Sequence, residues 1–457
     1  MQRKRTLVLG ISLVLARGPV ALAQTIVLDR TGTVELARFG GTHRSSPAWR
    51  APHFVRQVKL ELTALLCAQP AQTTCPAVEN GDRVVVSTLD WPMQQLAESY
   101  VHGAVFRSYG DLAIHNGALA ALDYRTGDVL AWVGSAGYAE AASAAFQPRF
   151  DMLANGWRQP ASAFKPFAYL AGLENGKLTA ATRLNDVRTE FEPGWRPRNA
   201  GGLEHGYVLL REALRRSYNI AAVEASLRTG LDDVQDLALR FGLSEAANAP
   251  DPGLAAALGV TERHPADVLS AYGAIANGGV LVKRHFILTI ADREARSFAP
   301  ARQSQRACSA AGAFLMTTLL ESDRLPFDGA VSDWALPWRG EIRPVAMKTG
   351  TSNGARDMSA YGYLAPPAAP EIPALAVGVW LGNSDESPAG NTRAAETAVP
   401  LWRAFVADAS RNWPIARFGP PPDGVVSVTI DADTGLRPGS GTHRTVDEWF
   451  LRGTEPR

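Results

Sequence analysis

Three short motifs place two serine hydroxyls, two lysine amines and an amide in a fixed order along this chain of 457 residues. The motifs are Ser-Ala-Phe-Lys from Ser162 to Lys165, Ser-Tyr-Asn from Ser217 to Asn219, and Lys-Thr-Gly from Lys348 to Gly350, followed by Thr351. A serine hydroxyl attacks a carbonyl carbon when a nearby base accepts its proton, and a neutral lysine amine is such a base. The motifs therefore predict acyl transfer through a serine nucleophile.

The first motif supplies the predicted nucleophile and base. Residues three apart on a helix share one face, with Cβ atoms about 5–6 Å apart, so Ser162 and Lys165 can lie side by side. Lys165 acts as a base only if its pKa falls towards neutrality, and burial together with the nearby cation Lys348 would lower it. We expect Ser217 to relay the proton to the leaving group and Asn219 to hold an amide of the substrate.

The third motif is predicted to bind the substrate at the end of a strand. The ammonium of Lys348 and the hydroxyl of Thr349 suit a substrate carboxylate. Gly350 would let the substrate backbone approach as an added strand. The backbone amides of Ser162 and Thr351 would stabilise the oxyanion of the tetrahedral intermediate.

The scarcity of lysine makes the two motif lysines informative. Only six of the 46 basic residues are lysine. A basic position is therefore lysine about one time in eight, so two lysines fall at the two required places by chance roughly one time in sixty. Because arginine cannot give up its proton, this skew favours proton-transfer chemistry at Lys165 and Lys348.

The sequence around the motifs predicts an α+β fold. Two apolar strands flank a turn at Asp123 to Asp128, which indicates a hairpin. The predicted elements are the hairpin at 118–133, helices at 162–173, 209–228 and 266–276, and strands at 344–347, 358–364 and 374–381. A hairpin, a helical middle and a strand meander suit a sandwich in which early and late strands share one antiparallel sheet covered by helices.

Composition shifts predict four regions. They are a signal peptide or membrane anchor at 1–23, an N-terminal linker region at 24–83, a main catalytic domain at 84–415 and a C-terminal appendage at 416–457. The linker region is expected to contain a short strand pair at 25–39 and a short helix at 54–66.

The first residues are typical of an export signal. A basic stretch from Arg3 to Arg5 precedes an apolar run at 6–16, and Ala21 to Ala23 give the small-x-small pattern of a cleavage site. A helix of the apolar run spans about 16 Å, roughly half the hydrocarbon thickness of a bilayer. We predict a cleaved signal peptide, with an uncleaved membrane anchor as the alternative. Either places the rest of the chain outside the cytoplasm, in the periplasm or at the cell-wall face of the inner membrane.

Charge and cysteine content bound the partners. A net charge of +1 gives no reason to expect nucleic acid, and the eight histidines show no metal-ligand spacing, so we predict neither metal nor cofactor. Cys67 and Cys75 bracket a short loop and could form a disulfide or stay as two thiols. Cys308 is expected to be a small core residue.

In this order, the three motifs are the set used by serine β-lactamases and penicillin-binding proteins. The chain most resembles the transpeptidase domain of high-molecular-weight penicillin-binding proteins, in particular the bifunctional class A group. The likeness covers roughly residues 50–457 and includes segments at 51–54, 158–167, 271–279, 348–352 and 434–456. The resemblance implies the penicillin-binding/serine β-lactamase-like sandwich, an antiparallel sheet covered by helices with a helical subdomain.

The resemblance also implies a function. Ser162 would attack peptidoglycan stem peptides that end in D-Ala-D-Ala, releasing the last D-Ala. The acyl group would then pass to an amine of a neighbouring stem, which cross-links the two. β-Lactams would acylate the same serine as covalent inhibitors.

Two features depart from the family pattern. Ala161 stands where the family usually has glycine, so the backbone before the nucleophile is expected to differ slightly. Class A relatives carry an N-terminal glycosyltransferase domain, and the region at 24–83 is too short for one and lacks its acidic motif. We therefore expect a transpeptidase-only derivative or a truncated product, with a separate glycosyltransferase as a partner.

Other functions fit the same motifs. Water in place of the acceptor amine would give a D,D-carboxypeptidase, and fast hydrolysis of the acyl-enzyme would give a β-lactamase. The segment from Glu245 to Asn248 is vaguely similar to a deacylating glutamate loop, although a polar helix end is the preferred interpretation. A non-catalytic penicillin-binding sensor or scaffold is the alternative from another class, and the presence of every motif residue argues against it.

Overall fold

A computed structural model describes residues 24–40, 48–67, 75–247, 249–321 and 335–456. Helices and antiparallel sheets are mixed throughout, which confirms the predicted α+β class. The signal or anchor predicted at 1–23 lies outside the described residues.

Eleven helices occur in the described part of the chain. They are α1 (Pro52–Leu66), α2 (Pro76–Glu79), α3 (Trp91–Gly103), α4 (Met152–Asn155), α5 (Lys165–Glu174), α6 (Leu210–Arg216), α7 (Asn219–Thr229), α8 (Leu231–Arg240), α9 (Pro265–Ala276), α10 (Ala310–Leu320) and α11 (Ala398–Ala409). Short 3-10 turns supplement them, of which Ala161–Phe164 matters most because it leads directly into α5.

Eighteen strands occur in the same described ranges. They are β1 (Thr25–Leu28), β2 (Glu35–Phe39), β3 (Arg83–Ser87), β4 (Asn116–Asp123), β5 (Asp128–Val133), β6 (Arg183–Asp186), β7 (Gly206–Leu209), β8 (Val280–Val282), β9 (Ile287–Ala291), β10 (Ser297–Phe298), β11 (Ser304–Arg306), β12 (Leu336–Trp338), β13 (Glu341–Arg343), β14 (Val345–Thr351), β15 (Asp357–Leu364), β16 (Leu375–Gly382), β17 (Val425–Asp431) and β18 (Thr445–Leu451).

The central sheet has five antiparallel strands in the order β14-β15-β16-β4-β5. Helix α9 covers one face, and α3 and α11 cover the other. Side chains alternate between the two layers, so Ala118 and Ala120 pack in the same core as Tyr272 of α9, whereas Leu119 and Ala121 pack in the opposite one. The early hairpin and the late strands thus share one sheet, as predicted.

The predicted strand pair at 25–39 belongs to a second sheet. Its strands follow the order β10-β9-β3-β1-β2, with β1 parallel to β3 and β3 antiparallel to β9. The ring of Phe54 in α1 packs edge-on against Phe286, beside β9, with centroids 5.3 Å apart. The segment 24–83, interpreted from the sequence as a linker region, therefore contributes strands and a helix to the folded body.

The helix predicted over 209–228 is interrupted. It divides into α6 and α7, and Ser217 between them has a φ of 60°, in the left-handed region. Here the backbone carbonyl oxygens of Ser217 and Tyr218 accept hydrogen bonds from Lys165 instead of continuing the helix. The interruption lies in the second motif, so it serves the site and not the packing of the helix.

The C-terminal appendage is a hairpin of β17 and β18 that packs against the main domain. Ile430 and Phe450 share a small core with Leu209. Arg211 of α6 forms a bidentate ion pair with Glu448 of β18, with Nε–Oε2 and Nη2–Oε1 distances of 2.5 and 2.6 Å. The hairpin is thereby joined to the helix that ends at Ser217.

The cysteines lie apart from the motifs. Cys67 and Cys75 are joined by a disulfide bond and are not two free thiols, the other alternative that the sequence left open. Cys308 is buried beside α10 as predicted, and burial raises the pKa of its thiol to about 12. Across the described ranges, no helix combines the length and apolar character needed to span a bilayer.

Candidate active site

The first motif begins on a 3-10 turn, not on an α-helix. Residues Ala161–Phe164 form this turn, here named the nucleophile turn, and the amide of Lys165 donates to the carbonyl oxygen of Ser162. Side chains three apart eclipse in a 3-10 turn, so Ser162 and Lys165 project in the same direction. Ser162 is partly exposed and Lys165 is fully buried. The predicted nucleophile is accessible, while the predicted base is shielded from water.

Backbone contacts hold the nucleophile turn in place. The amide of Ala161 donates to the carbonyl oxygen of Gly259 at 3.0 Å, and the hydroxyl of Tyr272 donates to that of Ala163 at 2.8 Å. Ala161 has a φ of 47°, in the left-handed region that costs a non-glycine residue about 1 kcal/mol. The family that this chain resembles usually has glycine at this position. Glycine adopts such a backbone conformation readily, and this chain adopts it with alanine.

Lys165 is surrounded by oxygen atoms of the second motif. Its Nζ donates to the carbonyl oxygen of Ser217 at 2.6 Å and to Oδ1 of Asn219 at 2.7 Å, with the carbonyl of Tyr218 at 3.3 Å. Burial and the neighbouring Lys348 hold the pKa of Lys165 well below its usual value. A neutral amine spends both N–H groups on the two shortest contacts, which leaves its lone pair free to accept a proton.

The hydroxyl of Ser217 lies between two buried amines. Lys348 Nζ is 2.8 Å from Ser217 Oγ, and Lys165 Nζ is 3.3 Å from the same atom. Burial lowers the pKa of Lys348 to about 7. Two ammonium groups on one buried hydroxyl would repel each other, which favours a neutral Lys165 beside a charged Lys348. The structure therefore brings Lys165, Ser217 and Lys348 into one hydrogen-bonded chain.

The third motif occupies β14, the edge strand of the central sheet. Thr349 and Thr351 are partly exposed, whereas Lys348 is buried and directed at Ser217. The hydroxyl of Thr351 accepts a hydrogen bond from the amide of Ala394 at 3.0 Å. The nucleophile turn packs along this strand, so the three motifs meet at one place.

Gly350 lies against the segment that precedes the nucleophile. A Cβ at this position would stand 2.1 Å from the carbonyl oxygen of Pro160 and 2.8 Å from Ser359 Oγ. The lack of a side chain thus lets the segment before the nucleophile approach β14, whereas the sequence predicted approach of the substrate.

Gly350→Ala is expected to slow acylation of Ser162 by a β-lactam about 100-fold, because displacement of a reacting group by about 1 Å has that effect. The new methyl group meets a backbone carbonyl, which cannot rotate away, so the nucleophile turn has to move. The measurement is the second-order rate of labelling by a fluorescent penicillin. Gly439→Ala is the matched control, since nothing lies within 4 Å of a Cβ there. Equal rates in the two variants would contradict this role of Gly350.

Arg158 is a site residue that sequence reasoning missed. Its guanidinium donates to Glu386 Oε1 at 2.7 Å and to the carbonyl oxygen of Ser384 at 2.9 Å, and its Cζ lies 5.5 Å from the ring centroid of Trp380. These contacts fasten the segment before Ser162 to the end of β16. In the sequence, Arg158 was marked only as the first residue of the segment at 158–167, which resembles the corresponding segment of the family.

The carboxylate of Glu245 forms hydrogen bonds with two neighbouring side chains. Its Oε1 accepts hydrogen bonds from Arg263 at 2.8 Å and from Gln235 at 3.0 Å. The buried guanidinium of Arg263 in turn stacks over Phe164. These contacts support the structural interpretation of Glu245 over a deacylating role, while Asn248, at the other end of that segment, lies outside the described residues.

Two parts of this chain match known protein families. Residues 117–366, more than half of the chain, match the family described as the penicillin-binding protein transpeptidase domain. The chain belongs to the penicillin-binding protein transpeptidase family. A second match, over residues 421–457, is to the C-terminal domain of penicillin-binding protein 1A. The three motifs fall within the transpeptidase match, and β17 and β18 fall within the second.

Relatives with curated descriptions are penicillin-binding proteins as well. The chain is 29% identical over 419 residues to penicillin-binding protein 2D of Bacillus subtilis (strain 168), which covers 89% of this chain and 56% of that protein. It is 30% identical over 355 residues to penicillin-binding protein 1A of Rickettsia conorii, covering 72% of this chain and 42% of the relative. The chain thus spans about half the length of these penicillin-binding proteins.

Solved structures share the penicillin-binding transpeptidase fold. Penicillin-binding protein 1A from Haemophilus influenzae superposes with a TM-score of 0.73 at 21% identity, covering 91% of this chain and 78% of that one. PonA1 from Mycobacterium tuberculosis in complex with penicillin V gives a TM-score of 0.68 at 21% identity, covering 81% of this chain and 96% of that one. These likenesses confirm the fold predicted from the motifs.

Proposed function

We propose that this chain is a peptidoglycan D,D-transpeptidase that works through an acyl-enzyme on Ser162. The observation that carries the proposal is the placement of Ser217 Oγ between the two buried amines, 2.8 Å from Lys348 and 3.3 Å from Lys165. Such a chain can move a proton from the attacking hydroxyl to a leaving amine. Membership of the transpeptidase family supports the same reaction.

Acylation begins when Ser162 Oγ attacks the carbonyl carbon of the penultimate D-Ala. Neutral Lys165 accepts the hydroxyl proton as the new C–O bond forms, and the amides of Ser162 and Thr351 stabilise the oxyanion. The C–N bond to the terminal D-Ala then breaks. Ser217 passes a proton to the departing amine and is reprotonated from Lys165, so free D-Ala leaves and an ester remains on Ser162.

Deacylation reverses the proton path. An amine of a second stem peptide attacks the ester, and Lys165, neutral again, accepts its proton through Ser217. The C–O bond breaks, the proton returns to Ser162, and a cross-linked peptide leaves. With water as the acceptor the same steps give a carboxypeptidase.

Substrate binding is assigned to the cleft beside β14. An extended stem peptide pairs with the edge of β14 by backbone hydrogen bonds. Lys348 and Thr349 bind its terminal carboxylate, and the amide of Asn219 contacts the peptide after release from Lys165. A β-lactam enters the same cleft, and because its amine stays attached after ring opening, the ester on Ser162 persists.

The test is intact mass spectrometry of the purified protein with and without benzylpenicillin, followed by peptide mapping. The proposal expects an increase equal to one penicillin molecule, located on the peptide that contains Ser162. Incubation with a donor peptide ending in D-Ala-D-Ala and an amine acceptor should give the amide product. Hydrolysed donor alone would indicate a carboxypeptidase, rapid loss of the adduct a β-lactamase, and the lack of any adduct would refute the acyl-enzyme.

We also propose that the chain acts outside the cytoplasm, because a cell-wall substrate lies there. Partnership with a separate glycosyltransferase stays a prediction. Co-purification of such an enzyme with the chain tests it.

A further inference from the structure

Polar residues behind the second motif form a network that the proposed reaction does not use. Asp186, the last residue of β6, is fully buried, and Asn199 is 6% exposed. Asn199 Nδ2 donates to Asp186 Oδ2 at 2.7 Å, and His205 Nδ1 lies 2.6 Å from the same oxygen. A buried carboxylate is costly unless it has partners, so its retention here calls for a specific role.

This network caps helix α7 from outside. Tyr218, at the N-cap position, provides no side-chain cap of its own. Instead, Asn199 Oδ1 accepts from the amide of Asn219 at 2.7 Å, and Asp186 Oδ1 accepts from that of Ala221 at 3.3 Å. The first amides of a helix need acceptors, and a negative charge at this end is favourable. Asp186 and Asn199 therefore fix where α7 starts.

The start of α7 is also part of the active site. Asn219 is its first residue, and its side-chain amide is held at both ends, with Oδ1 2.7 Å from Lys165 Nζ and Nδ2 donating to the carbonyl oxygen of Arg198 at 2.7 Å. Tyr218 stacks on His205 with ring centroids 3.9 Å apart and planes 15° from parallel. A shift of the cap would consequently move an acceptor of Lys165.

Asp186 also acts on Lys165 through its charge. The carboxylate raises the pKa of Lys165, against the larger effects of burial and Lys348. Burial is the main cause that raises the pKa of Tyr169, one turn beyond Lys165 on α5, and the charge of Asp186 raises it further. The titratable groups near Asp186 are Lys165 and Tyr169 of α5, Tyr218 before α7 and His205 before β7. Two further charged groups act on these neighbours, Glu224 of α7 on Tyr169 and Lys348 of β14 on Lys165.

We propose that Asp186, together with Asn199, is a positioning residue for acylation: it anchors the start of α7 against Lys165 and keeps a negative charge near that amine. The proposal rests on the acyl-enzyme function proposed above. Asp186 touches no reacting atom and acts through Lys165 and Asn219.

The test is the pH profile of labelling by a fluorescent penicillin. Asp186→Asn should lower the maximal rate about tenfold, because an amide has one acceptor oxygen where Asn199 and the amide of Ala221 each use one of the carboxylate's two. It should also move the acidic limb of the profile about one unit to lower pH, because loss of the negative charge makes the amine of Lys165 easier to deprotonate. A purely structural role would lower the rate without moving the limb.

Control variants separate the two effects. Asn199→Ala removes the cap but keeps the charge, so its rate should fall while its acidic limb stays in place. Asp233→Asn removes an exposed carboxylate, paired with Lys177 on the surface, and should change neither quantity. Asp186→Glu keeps the charge and should keep the limb. If Asp186→Asn does not fold, Asp186→Ser carries the same prediction, because it is neutral and its hydroxyl can accept from Asn199.

The outcomes distinguish the two proposals. If the natural protein is labelled at Ser162 but neutral variants of Asp186 keep the acidic limb of the natural protein, this inference fails and the proposed function stands. If the natural protein is not labelled at all, the proposed function is wrong, and the role inferred for Asp186 is then wrong as well.

Discussion

Lys165→Arg is expected to slow acylation by a β-lactam about 1,000-fold, the range in which a general base contributes to catalysis. Arginine keeps its proton at every physiological pH, so it cannot accept one from Ser162. Nor does the planar guanidinium fit a fully buried position whose oxygen partners are arranged for a compact amine. The measurement is the rate of labelling by a fluorescent penicillin, with folding checked by circular dichroism.

Lys177→Arg is the matched control for this prediction. Lys177 follows α5, its side chain is 48% exposed, and it forms a surface ion pair with Asp233. Arginine can form the same pair, so the labelling rate should not change. A folded Lys165→Arg variant that labels at the rate of the Lys177→Arg variant would show that Lys165 is not the base.

Glu448→Ala is expected to lower the free energy of unfolding by about 3–5 kcal/mol, the usual effect of removing one partner of a buried ion pair. The substitution leaves the guanidinium of Arg211 buried without its carboxylate partner, while its Nη1 still donates to the carbonyl oxygen of Thr318 at 2.6 Å. Denaturation in urea measures the change. Because Arg211 belongs to the helix that ends at Ser217, the labelling rate should also fall.

Glu190→Ala supplies the comparison for Glu448. Glu190 pairs with Arg196 on the surface, where the two side chains are 39% and 60% exposed. Loss of such an exposed pair should leave the free energy of unfolding nearly unchanged. A Glu448→Ala variant no less stable than Glu190→Ala would mean that the C-terminal hairpin contributes little to the stability of the main domain.

Local signals in the sequence were sufficient for much of the fold. Apolar runs on either side of a turn predicted the β4–β5 hairpin, and apolar runs predicted the late strands. Asp90 caps α3 by accepting from the amide of Met93 at 3.1 Å. These features depend on residues close together in the chain. The three motifs likewise predicted that Ser217 lies close to Lys165 and Lys348, and the structure shows both contacts.

Long-range contacts account for what the sequence did not predict. Strand β3 pairs with β1 on one side and, on the other, with β9, which follows it some two hundred residues later, and no local pattern encodes that pairing. The break at Ser217 lies in a stretch of good helix formers, where burial of Lys165 overrides propensity. Asp186 and Arg158 carry no motif, and only the packed site shows what each of them contacts.

The second sheet limits how this chain can be divided for laboratory work. Strand β9 lies inside the family match, which begins at residue 117, whereas its neighbour β3 and the parallel partner β1 precede that boundary. A fragment started at the match would expose the backbone of β9 to the strands of other copies, which promotes aggregation. Expression trials and chimaeras should therefore retain everything from residue 24 onward, so that the strand is shielded during purification and crystallisation.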